Sequence, residues 1–240
     1  MDPLLRVDHL SRRFGGVRAL TDLSFELMPN EVMGLIGPNG SGKSTSVNLI
    51  AGLLRPTTGR IFLGKEDVTR RSQDARVRRG LARTLQTTSL FKEFTAIENV
   101  RLGGHVGRPV AVAGGGGGAE AVLDFVGLGA VANAAAGTLS SAQQRLLMIA
   151  VALASGPAVV LLDEPAAGMV AQERRTLAAL IGRIREHGTA VLVIEHHMSL
   201  IMEVCDRIVV LNFGETIATG PPASVAKNPA VVEAYLGKAH

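Results

Sequence analysis

The sequence predicts an α/β fold with a parallel sheet covered on both faces, a small antiparallel β lobe and an inserted helical lobe. Three observations lead there. Short apolar β-type runs recur at Glu31–Ile36, Ala158–Leu162, Ala190–Ile194 and Arg207–Leu211, with helical patterns between several of them. Runs apolar on both faces are what a parallel sheet buried between helices requires. A glycine-rich loop directly follows the first of these runs, and 28 glycines with a single Tyr and no Trp suit a chain of many tight turns.

Taken in order, Leu4–Leu10, Leu20–Met28 and Arg60–Leu63 read as strands of the smaller, mainly antiparallel layer. Lys43–Ala51 reads as a helix. From about Gln86 to Ala154 the pattern turns helical, and the glycine run Gly114–Gly118 reads as a mobile surface linker within that stretch. The longest uncharged run, Leu146–Leu162, is interrupted by Ser155-Gly156-Pro157. A spanning helix needs about 20 apolar residues, so this run reads as a buried helix, a turn and a buried strand. The expected division is a nucleotide-binding core with its β lobe over 1–85 and 155–240, and a helical lobe over 86–154.

Composition narrows the function. At 240 residues and 47% hydrophobic, the chain can bury a sizeable core. The net charge of +4 raises nucleic acid as a partner, but the arginines are dispersed. Their densest cluster, Arg76, Arg78, Arg79 and Arg83, lacks the interleaved aromatics of a base-stacking surface. It reads instead as a solvated face or a helix contacting a partner. One cysteine, Cys205, allows no internal disulfide and suits a reducing compartment. Met1-Asp2-Pro3 does not resemble the start of a secretory signal.

Gly37-Pro38-Asn39-Gly40-Ser41-Gly42-Lys43-Ser44-Thr45 satisfies G-x-x-x-x-G-K-[ST] between a strand and a helix. Glycines let successive backbone N–H groups turn toward an anion, and the helix N-terminus adds a favourable dipole. Lys43 is expected to reach the β- and γ-phosphates of ATP, and the Ser44 hydroxyl to ligate Mg²⁺. Kinases, GTPases and motor ATPases share such a loop, so it does not name the reaction.

About 120 residues on, Val159-Val160-Leu161-Leu162 ends in Asp163-Glu164. Alone, such a pair is often a helix cap or a surface feature. With the phosphate loop upstream, Asp163 is expected to hold Mg²⁺ through water and Glu164 to act as general base toward the attacking water. The strand Ala190–Ile194 is followed by Glu195-His196-His197. His196 leaves the sheet on the edge where a γ-phosphate would sit and is a candidate to contact it, with His197 a neighbour lacking that role.

These elements, together with Leu139-Ser140-Ser141-Ala142-Gln143-Gln144-Arg145, resemble the ATPase subunits of ABC transporters over essentially the whole chain. The resemblance implies that Gln86 touches Mg²⁺ or water and links ATP to the membrane partner, and that Phe14 stacks on adenine rather than packing under the loop. It also implies that residues 139–143, Ser140 and Gln143 among them, contact the γ-phosphate held by an opposite subunit. Ala166–Met169 would be the D-loop. Implied partners are transmembrane permease subunits, a second ATPase subunit and, indirectly, a soluble substrate-binding protein, with the chain peripheral at the cytoplasmic face of the membrane and no nucleic acid bound. Gly80–Gln86, Leu90-Phe91, Thr95–Val100, Asp163–Gly168 and Asn228-Pro229 through Gly237 look like the branched-chain amino acid importer branch, which urea and amide importers share.

Three departures from the family pattern stand out. Ala142 replaces a glycine of the signature, Val151 replaces an arginine of the following helix, and Met169-Val170 alters the D-loop while 101–120 is short and glycine-rich. A methyl at 142 is expected to hold the opposite phosphate slightly away; the alternative is that residue 142 already lies in a helical turn, where alanine is favoured. A soluble ABC ATPase acting on DNA or ribosomes would carry fused ATPase domains or a long coiled coil, and neither is present. A degenerate, non-hydrolysing ATP-binding subunit is the remaining rival, and intact Lys43, Asp163, Glu164 and His196 argue against it.

Overall fold

The computed structural model describes residues 2–84, 90–105 and 118–236. In chain order these form β1 (Leu5–Phe14), β2 (Val17–Leu27), β3 (Val32–Ile36), α1 (Lys43–Ala51), β4 (Thr58–Leu63), β5 (Glu66–Asp67), α2 (Gln73–Val77), β6 (Leu81–Arg83), α3 (Ala96–Gly104) and α4 (Ala119–Val126). There follow α5 (Ser141–Leu153), β7 (Val159–Asp163), α6 (Ala171–Glu186), β8 (Ala190–Ile194), α7 (Met198–Val204), β9 (Arg207–Asn212), β10 (Glu215–Gly220), α8 (Pro222–Val225) and α9 (Pro229–Leu236).

Two sheets result. The larger has the order β10-β9-β3-β8-β7-β6, parallel throughout except for the antiparallel edge strand β10. The smaller, β2-β1-β4-β5, is antiparallel. The fold class is thus the one the sequence predicts. The short strands β5 and β6 and the edge strand β10 carry no apolar run, which is why periodicity alone does not find them.

Successive residues of the central strands serve opposite cores. Met33, Leu35, Val159, Leu161, Leu192 and Ile194 pack toward α1 and the antiparallel layer. Val32, Ile36, Val160, Leu162, Val191 and Val193 pack toward the helices on the other face. Both faces are buried, so the strands read as continuous apolar runs. The uncharged stretch 146–162 is the expected helix, turn and strand, ending α5 and forming β7. Among the described residues no helix is long and apolar enough to cross a membrane.

Helices α3, α4 and α5 pack on one another. Where α3 meets α5, a Cβ on Gly103 would collide with the Val151 carbonyl, so the close approach requires glycine there. Val151 itself stands at this contact. The glycine run 114–117 lies outside the described residues, while Gly118 is the extended N-cap of α4.

Of the arginine cluster only Arg78 is exposed, so the four do not share one solvated face. Arg76 is buried, and its guanidinium donates to the carbonyls of Leu49 (2.7 Å) and Ile50 (2.6 Å) at the end of α1, and to those of Thr69 and Arg71. Two of these four carbonyls belong to the C-terminal turn of α1, a favourable place for a cation. Burial lowers its pKa to about 10, with the Asp67 charge opposing that shift, so Arg76 remains protonated at neutral pH. Arg79 pairs with Glu66 at 2.8 Å, and Arg83 turns inward to the site described next.

Candidate functional site

All the site residues of the core emerge from the carboxyl edge of the larger sheet. β8 lies between β3 and β7, and Leu35, Ile194 and Asp163 stand abreast in register. This pairing brings the loop after β3, Asp163-Glu164 after β7 and Glu195-His196-His197 after β8 to one edge, where open α/β sheets bind ligands.

The phosphate loop ends in Gly42, a left-handed N-cap of α1 with φ 102°. A Cβ there would lie 2.7 Å from the Ala19 carbonyl, so both conformation and space call for glycine. No side chain caps α1, and its first turn holds no acid. The first N–H groups of the helix have no carbonyl of their own helix to bond, and the buried Ser41 hydroxyl has no hydrogen-bond partner. Unpaired donors at an uncapped positive helix end are what a nucleotide phosphate would satisfy. Lys43 is buried and donates from Nζ to the carbonyls of Gly37 (2.6 Å) and Pro38 (2.9 Å) of its own loop. Burial lowers its pKa, while the charges of Glu164 and Asp163 raise it. The two motifs, far apart in sequence, therefore share one electrostatic site.

Asp163 is buried, and its Oδ2 accepts from Arg83 Nη2 at 2.8 Å. Arg83 Nη1 also donates to Asn48 Oδ1 of α1 at 2.6 Å. Arg83, expected in a solvated or partner-contacting cluster, instead turns into this site, and Asn48 carries no local sequence signal. Glu164 occupies the left-handed region at φ 47°, unusual for a non-glycine residue and costly by roughly 1 kcal/mol. The neighbourhood enforces it: Glu164 N–H donates to the Ile194 carbonyl (2.8 Å), and the Glu164 carbonyl accepts from Ala167 N–H (3.2 Å) and Arg145 Nη1 (3.3 Å). Its partly exposed carboxylate lies 3.9 Å from His196 Nδ1. Ser44 is exposed at the start of α1.

Glu195 is completely buried between the loops that follow β7 and β8. Burial by itself pushes its pKa up, but hydrogen bonds from the His197 ring and from the backbone N–H groups of His197, Ala166 and His196 hold the carboxyl below the usual range. The local signal for this role is no more than an acid directly after a wholly apolar strand.

Ser140 is the N-cap of α5: its hydroxyl accepts from Gln143 N–H (3.2 Å) and its own N–H donates to Gln143 Oε1 (3.0 Å). The two residues thus form a capping box. α5 begins at Ser141, so Ala142 sits in its first turn, and its backbone φ is not positive. Of the two readings of Ala142, the helical one matches this geometry. Met169 is buried, and Val170, 63% exposed, precedes α6 with no side-chain cap. Phe14 is 43% exposed at the end of β1, with the Arg12 guanidinium 4.5 Å from its ring centroid, so it does not pack under the loop. Gln86 lies outside the described residues.

Residues 20–167 match the ABC transporter family, and residues 215–240 match the family described as branched-chain amino acid ATP-binding cassette transporter. The chain is 40% identical, over 99% of its length and 99% of the relative's, to the high-affinity branched-chain amino acid transport ATP-binding protein BraF of Pseudomonas aeruginosa. It resembles the structure of the ADP conformation of an ATP-binding cassette of an ABC transporter, with a TM-score of 0.88 and 29% identity, covering 99% of this chain and 100% of that one. It also resembles a dimeric, post-hydrolysis ATP-binding cassette bound to ADP and phosphate, with a TM-score of 0.77 and 26% identity over 91% of this chain and 98% of that one. With its phosphate loop, paired acids and following histidine on one sheet edge, the chain belongs to the ABC transporter family, as a nucleotide-binding cassette.

Proposed function

We propose that this chain is the ATP-hydrolysing subunit of an importer of branched-chain or related hydrophobic amino acids, working at the cytoplasmic face of the membrane. The observation that carries the proposal is the convergence of Lys43, Asp163, Glu164 and His196 on one sheet edge, in a chain whose tail matches the branched-chain transporter family. Residues 37–45 hold the phosphates, and Lys43 exchanges its bonds to the Gly37 and Pro38 carbonyls for phosphate oxygens. Ser44, Asp163 and Gln86 are the groups that would hold Mg²⁺, which when bound neutralises charge on the phosphates. Glu164, held in place through its backbone, accepts the proton of the attacking water, and His196 contacts the γ-phosphate. Phe14 offers its exposed ring to adenine.

Two copies head to tail complete the sites, each lending Ser140 and Gln143 at the N-terminus of α5 to the phosphate held by the other. The stretch 86–154 acts as a lobe that turns against the core. A cleft of about 230 Å³, with Arg83, Thr84, Leu90, Gly103, Met148 and Val151 in its lining, suits contact with the permease subunits. A soluble binding protein delivers the substrate, which touches no residue of this chain.

The test is reconstitution with co-purified permease subunits in proteoliposomes. ATP-dependent leucine uptake that Lys43→Ala abolishes supports the proposal. ATP-dependent uptake of urea or a short amide, with none of leucine, would place the chain in the neighbouring substrate branch.

A further inference from the structure

We infer that Glu195 is a positioning residue for ATP hydrolysis, a buried clamp that ties the turn after Glu164 to the segment carrying His196; this rests on the role proposed above for His196. The two carboxylate oxygens serve different loops. Oε1 accepts from Ala166 N–H at 2.9 Å, in the turn that follows Asp163-Glu164. Oε2 accepts from the backbone N–H groups of His196 (2.9 Å) and His197 (3.1 Å) and from His197 Nδ1 (2.9 Å).

Four donors from two loops meet one fully buried side chain. Charge-assisted hydrogen bonds of this kind are stronger than neutral ones. Oε2 already accepts three bonds, so this Glu-His-His cluster is organised around N–H donors rather than a cation. His196 Nδ1 stands 3.9 Å from Glu164 Oε1 and 3.8 Å from Glu195 Oε2, and its ring lies 4.2 Å from that of His197. On the other arm, Ala166 begins the turn that leads through Gly168 to the exposed Val170 at the start of α6. A shift of the 166–169 turn therefore reaches His196 through a single rigid group. Displacements of about 1 Å at a reacting centre can cost about 10²-fold in rate.

Glu195→Gln separates clamping from filling. The amide keeps the shape but offers one acceptor oxygen, and its NH₂ faces N–H donors, so one arm must release. Glu195→Asp keeps the charge but is too short to span both loops. In the full chain with its permease partners, both variants are expected to lower kcat at least 10-fold while ATP Kd stays within about twofold. Glu195→Gln combined with His196→Ala is expected to be no slower than His196→Ala alone, because Glu195 acts through that histidine.

Losses that multiply in the double variant, or wild-type kcat in either single variant, would overturn the clamp. So would a slow variant whose melting temperature falls and whose rate recovers on cooling, since that is a folding defect. If His196→Ala itself turns over ATP at the wild-type rate, the failure belongs to the role proposed for His196. The clamp is then judged by the imidazole ¹⁵N shifts of His196 and His197. Shifts of both rings in Glu195→Gln support it, and unchanged shifts refute it.

Discussion

Arg83 Nη2 lies 2.8 Å from Asp163 Oδ2, with only 9% and 2% of the two side chains exposed. Asp163 thus has an internal counter-ion, which Asn48 steadies from α1. Removing one partner of a buried pair leaves the other charged and unpaired, at about 3–5 kcal/mol. Arg83→Met is expected to lower stability by about 3 kcal/mol without nucleotide. The deficit should shrink with Mg-ATP, because a bound cation near Asp163 replaces the missing charge. Chemical denaturation in both conditions checks this, and a deficit that Mg-ATP does not change would contradict it.

Arg76 holds the opposite end of the phosphate-loop helix. Arg76→Met forfeits bonds to four carbonyls and is expected to cost at least about 3 kcal/mol. Binding acts at the N-terminus of α1, so the folded variant should bind ATP within about threefold of wild type. Thermal unfolding and calorimetry read the two effects separately.

Ala142→Gly replaces a favoured residue in the first turn of α5 and is expected to cost up to about 1 kcal/mol, or roughly 2–4 °C in Tm. Turnover in the assembled transporter should not rise. A gain in turnover would show that the methyl obstructs the opposite phosphate.

Burial raises the Cys205 thiol from 9.0 to about 12, and the nearby Asp206 charge adds to the shift. The folded state therefore binds this proton more tightly than the unfolded chain does. The resulting stability is fully present below pH 9 and is lost as pH rises from 9 toward 12. Cys205 should resist a thiol reagent at pH 8 in native protein and react on unfolding, and rapid native labelling would contradict this.

The sheet was legible because its strands are buried on both faces, which writes uninterrupted apolar runs at β3, β7, β8 and β9. The shared edge of the phosphate loop, Asp163-Glu164 and His196 was legible because each ends or closely follows one of those strands. Arg76, Arg83 and Glu195 were not. Charged residues in a sequence suggest solvent, and only tertiary packing reveals a carbonyl cluster, a buried carboxylate or two loops waiting for each. Asn48 and Arg145 likewise act across distances that no local pattern spans. Ala142 was ambiguous until the start of α5 fixed its conformation.

Glu164, with its backbone held at φ 47° and its carboxylate 3.9 Å from His196, is the base we propose for ATP hydrolysis. Glu164→Gln keeps that backbone and shape but cannot accept the proton of water. The direct measurement is incubation of wild type and Glu164→Gln with labelled Mg-ATP, followed by size-exclusion chromatography and identification of the bound nucleotide. The variant is expected to elute as a dimer carrying intact ATP while wild type releases ADP. ADP released by the variant at the wild-type rate would contradict it.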